Sequence, residues 1–291
     1  MNPRPGAEGA PSLSPCLSLS LSLSPSPSLK RVAVFGGVYS NHLALAAALD
    51  DARARGAEAF VCLGDLGAFG PHPDRVFPLL RDAGVHVIRG NYDDSLARGL
   101  DDCQCGYTDP RDNYFASLSY RYTYANTSAA NREWLGTLPG ELRFTLGDLR
   151  VLCCHGSPRQ MNEFLWESAT PTHFLARLAR DHACDVILGT HTGIHWQRRI
   201  ADRAWYVNVG ALGRPANDGR TEVWYALLSA AREPEGALEV EFVPVAYDQE
   251  ALADEMREER LPQEFIETIR TGWWTTCLEV LPARERARGK W

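Results

Sequence analysis

Between Arg31 and Asn91 the chain alternates short apolar runs with helical stretches, and each apolar run ends in glycine. Arg31 to Gly36 reads as a buried strand, Val-Ala-Val-Phe followed by Gly36-Gly37. Asn41 to Arg55 reads as a helix. Leu43, Leu45, Ala46 and Leu49 recur on one side, and Gly56 stops it. Ala59 to Leu63 is a second strand, running into Gly64-Asp65, and Asp74 to Ala83 a second helix with Pro73 near its start. Val85 to Arg89 is a third strand, running into Gly90-Asn91. Strand, helix, strand, helix, strand at this spacing demands βαβ crossovers, hence parallel strands with helices on the sheet faces. The fold class is α/β. In such sheets ligands sit at the C-terminal strand ends, so the glycine-containing loops are the first place to look for chemistry.

The remainder is less regular. Leu100 to Leu138 reads as a loop-rich aromatic insertion with a helix near Ala129–Leu135. Arg143–Leu146 and Val151–Cys154 form a hairpin pattern around Gly147-Asp148. Pro171 to His182 is helical, and Asp185–Leu188 is another buried strand. Trp205–Val209, Val223–Leu228 and Leu238–Val243 suggest a closing β meander, and Gln249 to Ile269 is helical and charged. No internal repeat is present. The expected organisation is a compositionally foreign segment over 1–30, one domain over 31–245, and a helical extension over 246–291 packed on that domain.

Ser12 to Ser28 holds eight serines and five leucines with prolines at both ends, a low-complexity pattern without a continuous apolar core. That argues against a secretory signal and leaves two readings, a disordered tail or an organelle transit segment. The net charge of −7 gives no electrostatic footprint for nucleic acid. No run of eighteen apolar residues exists to span a membrane. Eight cysteines in 291 residues are too dilute for a disulfide scaffold, so Cys103, Cys105 and the Cys153-Cys154 pair read as structural thiols in a cytoplasmic or other reducing compartment.

Four strand ends carry side chains of metal-ligand type: Asp65, Asn91, His155 and His191. A carboxylate, an amide oxygen and two imidazoles make a mixed O/N set suited to Mn, Fe or Zn and unlike a thiolate zinc site. Each residue alone is an ordinary loop residue; their shared placement at strand ends makes them a candidate site. Arg159, after His155-Gly156-Ser157-Pro158, has the fork geometry to hold a phosphate oxygen, and equally reads as an exposed loop arginine.

With these motifs in order, residues 31–245 resemble the calcineurin-like metallophosphoesterases, in their small prokaryote-type branch. The resemblance rests on Gly64-Asp65-Leu66-Gly67-Ala68-Phe69-Gly70-Pro71, Gly90-Asn91-Tyr92-Asp93, His155-Gly156-Ser157-Pro158-Arg159 and Val207-Asn208-Val209-Gly210 with Gly213-Arg214-Pro215 after it. It implies a four-layer sandwich of two mixed β-sheets flanked by helices. It also implies metal-assisted hydrolysis of a phosphoester, with Asn91, His155, Tyr92 and Asp93 at the catalytic positions. Tyr92 stands where the family has a histidine that serves as leaving-group acid.

The departures fall on one metal. The family opens with Asp-x-His, where this chain has Gly37-Val38-Tyr39, and closes with Gly-His-x-His, where His191 remains and Gly193 replaces the second histidine. The three positions serving only the first metal are thus Gly37, Tyr39 and Gly193. The second metal keeps Asn91, His155 and His191, with Asp65 as the family's bridging ligand. Tyr39 either fills the vacated volume or faces substrate, since a phenol with an ordinary pKa near 10 is a poor ligand. His42 and His195 lie close enough in sequence to furnish a relocated site, but both read more readily as loop or surface histidines. The expectation is a hydrolase with one transition metal acting on a small phosphorylated molecule. The alternatives are another metal-assisted reaction or a retired ligand- or partner-binding domain. Trp273-Trp274, near the basic C-terminus, read as core residues or as a docking element.

Overall fold

In the computed structural model, residues 29–230 and 237–289 are described. The Ser-Leu segment through Ser28 lies outside the described residues, and with it the tail and transit readings.

Two five-stranded mixed sheets face each other. The first is built from β1 (Arg31–Phe35), β2 (Ala59–Cys62), β3 (His86–Val87), β9 (Val223–Ala230) and β10 (Leu238–Val245), in the order β10-β9-β1-β2-β3. The second holds β4 (Leu142–Leu146), β5 (Leu149–Cys153), β6 (Val186–Gly189), β7 (His195–Arg199) and β8 (Trp205–Val209), in the order β4-β5-β6-β8-β7. β1, β2 and β3 pair in parallel, as the βαβ spacing requires. β5, β6 and β8 do the same in the second sheet.

Period-two alternation sorts the side chains into layers. Val32 and Val34 of β1, Val151 and Cys153 of β5, Val186 and Leu188 of β6, and Val207 and Val209 of β8 meet between the sheets. The intervening residues face outward. Ala33, Phe35, Tyr225 and Leu227 pack under α1 (His42–Ala54), α2 (Val76–Asp82), α7 (Gln249–Glu258) and α8 (Gln263–Thr271). Leu152, Ile187 and Tyr206 pack under α6 (Thr172–Asp181). The result is a four-layer α/β/β/α sandwich, because each strand has two apolar faces to cover.

Three local expectations are corrected. Trp205–Val209, Val223–Ala230 and Leu238–Val245 are not a meander: β8 belongs to the second sheet, while β9 and β10 close the first. Short apolar strands carry no label for the sheet they join. Asn91–Arg98 forms α3, and the aromatic insertion after it is not mainly loop, for Pro110–Asn126 forms a 17-residue α4 ahead of the expected helix, α5 (Ala129–Thr137). α4 is capped by Asp109, whose side chain accepts from the amides of Arg111 and Asp112, with Pro110 in the first turn. Its tyrosines spread around the helix and hide the amphipathic period. Finally, Cys103 and Cys105 are joined in a disulfide, not free thiols. Gln104 between them adopts a positive φ that turns the chain back on itself. Cys62, Cys153, Cys154, Cys184 and Cys277 are free. A last short helix, α9 (Ala283–Arg288), ends the described chain.

Candidate metal centre

Asp65 follows β2 and Asn91 opens α3 just past β3, both from the first sheet; His155 follows β5 and His191 follows β6, both from the second. Asp65, His155 and His191 therefore meet at one end of the sandwich from two facing sheets, not along a single one, and the neighbours of Asn91, Gly90 and Tyr92, approach Asp65. Asp65, His155 and His191 offer ligand atoms that all lie within 4.8 Å of one another, and all three are buried.

Each is held by a specific contact. His155 Nδ1 donates to the Leu63 carbonyl at 2.6 Å, which fixes the ring and turns Nε2 inward. Nε2 then lies 3.2 Å from both Asp65 Oδ2 and His191 Nδ1. Asp65 Oδ1 accepts from the backbone amide of Tyr92 at 3.1 Å. Asp93 accepts from three backbone amides, those of Asp65, Leu66 and Gly90, at 2.8 to 3.0 Å. It ties the β2 loop to the start of α3. Asn91 donates its amide nitrogen to the Cys103 carbonyl at 2.8 Å, so its oxygen is the atom left to face the site. The disulfide turn thus orients Asn91.

The charges follow from burial. Burial opposes ionisation of Asp65, but His155 beside it outweighs this and holds the carboxyl below its ordinary value. Burial likewise opposes the His155 imidazolium, and Asp65 outweighs it in turn, raising that group. His191 is depressed to about 3 by burial and by His155. Asp93 is pushed up to about 6 by burial and by the Asp65 charge.

Two buried polar atoms here have no protein partner, Asn91 Oδ1 and His191 Nε2. Buried polar atoms are rarely left unsatisfied, because the loss of water is uncompensated. Asn91 sits between Gly90 and Tyr92, and both approach Asp65. A carboxylate, an amide oxygen and two imidazoles fit one first-row transition ion.

The first-metal position does not fit one. A Cβ added to Gly37 would lie 2.9 Å from Tyr39 Cζ, and one added to Gly193 would lie 3.1 Å from Trp274 Cη2 and 3.2 Å from Arg214 Nη2. Both glycines have positive φ, +56° and +75°. Tyr39 is half-buried by the cavity, and burial keeps its phenol protonated well past its ordinary range. His42 pairs with Glu255 and Arg75, and His195 stacks on Trp224 and Phe242, so neither rebuilds the lost site.

Two further expectations change. Arg159 does not turn to a phosphate, because its guanidinium is taken up by Glu163 and lies over Phe174, half-exposed. Tyr92 points its hydroxyl at Ser119 and Thr123 of α4, which makes it a brace between α3 and α4 although its ring lines the cavity. The arginine that does line the cavity is Arg214, stacked on Trp274. Both residues stand within motifs visible in the sequence, but nothing there joins residue 214 to residue 274.

Two facing mixed sheets, helices outside, and an O/N donor set at the strand ends define a metallophosphoesterase-type sandwich. The chain matches the calcineurin-like phosphoesterase superfamily domain over residues 31–233, and it belongs to that family. An uncharacterised protein of Methanocaldococcus jannaschii is 24% identical over 252 residues, spanning 83% of this chain and 98% of the relative. A hypothetical protein of Pyrococcus horikoshii shares the fold at a TM-score of 0.69, 24% identity, and coverage of 84% of this chain and 99% of that one. A metallophosphoesterase from Sphaerobacter thermophilus does so at 0.63, 24% identity, 84% and 100%. The family is metal-dependent, and Asp65, His155 and His191 are where this chain can bind an ion. No helix among the described residues is long and apolar enough to cross a membrane.

Proposed function

We propose that the protein is a phosphoester hydrolase working with one metal, held by Asp65, Asn91, His155 and His191, on a small phosphorylated molecule. The observation that carries this is the buried, unpartnered Asn91 Oδ1 beside a clustered Asp-His-His triad. Asp65, His155 and His191, with Asn91, would hold an ion whose Lewis acidity would serve to polarise a phosphoryl oxygen and lower the pKa of water. The protein's own part is positional. The Leu63 carbonyl sets His155, the Cys103 carbonyl sets Asn91, and Asp93 fixes the loop that presents Asp65. Losing the first metal's clamp on the phosphoryl group implies slower turnover than a two-metal relative.

A second reading, a binding domain that has given up hydrolysis, is favoured by the filled first-metal position. The two separate on one experiment. Metal per chain is measured on purified protein, then turnover of bis(p-nitrophenyl) phosphate and p-nitrophenyl phosphate with and without Mn. One ion per chain, with turnover abolished in His155→Ala, is the expected result. One ion and no turnover on either substrate would move the assignment to the binding domain.

A further inference from the structure

Arg214 is 6% exposed, yet no carboxylate and no hydrogen-bond acceptor among the described residues meets its side chain. A buried guanidinium without a counter-anion is costly, so its neighbours should show what offsets the cost. One does. The Trp274 ring centroid lies 3.6 Å from the Arg214 guanidinium carbon, with Phe69 at 5.6 Å and Tyr39 at 6.0 Å. Such stacking offsets part of the desolvation but satisfies no N–H. Nε is buried without a partner, while the side chain borders a cavity of about 60 Å³ shared with Asp65, His191, Tyr39, Tyr107 and Cys277. That volume holds several waters or one tetrahedral anion.

The stack is rigid. The Trp274 indole N–H donates to the Pro215 carbonyl at 2.7 Å, and its backbone amide to Asn217 Oδ1 at 2.8 Å. Trp274 is 1% exposed. The pair occupies the space that a side chain at residue 193 would need, on the first-metal side of the site. Asp65 does not neutralise Arg214, since its oxygens are engaged by His155 and the Tyr92 amide.

We propose that Arg214, clamped on Trp274, stands in for the missing first metal as a fixed cation, and that the cavity binds the phosphoryl group of a small phosphorylated molecule through it. The choice of a phosphoryl over another anion rests on the hydrolase reading above; the anion site itself does not. The fork of the guanidinium can take two phosphoryl oxygens, which a metal ion at that place would otherwise clamp.

The test is phosphate binding to the full-length protein by calorimetry, metal-free and again with Mn, for wild type, Arg214→Met and Arg214→Lys. Methionine keeps much of the stacked volume without the charge. We expect wild type to bind inorganic phosphate without metal, Arg214→Met to weaken it about tenfold or more, and Arg214→Lys to fall between. Phosphate should raise the Tm of wild type and leave that of Arg214→Met unmoved, whereas an arginine with a purely structural role would lower Tm without changing the phosphate response. Undetectable binding to wild type up to about 10 mM phosphate, or equal binding by Arg214→Met, overturns the proposal. So does a stoichiometry of two metals per chain. Should Arg214→Met fail to fold, Arg214→Lys and Trp274→Phe carry the same comparison: unchanged phosphate affinity in both overturns it. Arg214-dependent phosphate binding without any esterase turnover would uphold the anion site and overturn the hydrolase.

Discussion

At the scale of single residues, the centre depends on atoms pointed by their neighbours. Asn91 is the clearest case, because the Cys103 carbonyl decides which end of its amide faces the cluster. Replacing Asn91 with Ala should weaken Mn binding about tenfold or more, read by competition against a fluorescent chelator, with little change in circular dichroism. Asp93 acts one step back. Asp93→Asn places an NH2 donor where three backbone amides now donate, and should cost about 2 kcal/mol in urea unfolding. The strand-end residues were legible in the sequence because residue type and a preceding apolar run suffice to nominate them. Of the two readings of Arg159, the structure bears out the exposed loop arginine, because Glu163, four residues on, satisfies it locally.

At the scale of elements, β7 and the pair β9–β10 belong to different sheets but touch through one side chain. His195 of β7 stacks on Trp224 of β9 at 4.5 Å and on Phe242 of β10 at 4.6 Å. Burial lowers its pKa to about 4; Asp218 opposes this and Arg220 adds to it. Its contribution is complete above the ordinary histidine value of 6.5. It falls as pH drops toward about 4, where the unfolded chain takes a proton that the folded chain refuses. The slope from this group is at most about 1.4 kcal/mol per pH unit. The Tm of His195→Phe relative to wild type should therefore climb steadily as pH falls from 6.5 to 4.5, and a constant difference across that window would refute the assignment. Elements were legible where one apolar period dominates, as in α1, and illegible where aromatic residues surround the helix, as in α4. The strands other than β7 (His195–Arg199) were found, but their sheet was not, since pairing is chosen by contacts far apart in sequence.

At the scale of the molecule, the segment after α8 closes the cavity that the strand ends open. Thr276 and Cys277 line it, Trp274 backs it through its stack on Arg214, and Glu285 of α9 accepts from the Ser168 amide at 2.8 Å across the second sheet's loops. Trp274→Ala should cost about 3 to 5 kcal/mol in urea unfolding, the range for emptying a buried tryptophan site. Restoring the family's ligands should fail for the same reason of space. A Gly37→Asp, Gly193→His double variant is expected to bind one metal, not two, by elemental analysis, and to unfold at lower temperature, because Tyr39, Arg214 and Trp274 occupy the room and both backbones have positive φ.

The sequence by itself determined the α/β alternation, the two-faced apolar strands and the four strand-end ligand types, because these depend on neighbours within a few residues. Through its resemblance to the family, it also pointed to three first-metal positions, Gly37, Tyr39 and Gly193, without the family's ligands. Only the tertiary structure decided what stands there instead. Arg214 and Trp274 are sixty residues apart on segments with no shared pattern, and their meeting is fixed by the way the C-terminal segment packs across the end of the sandwich.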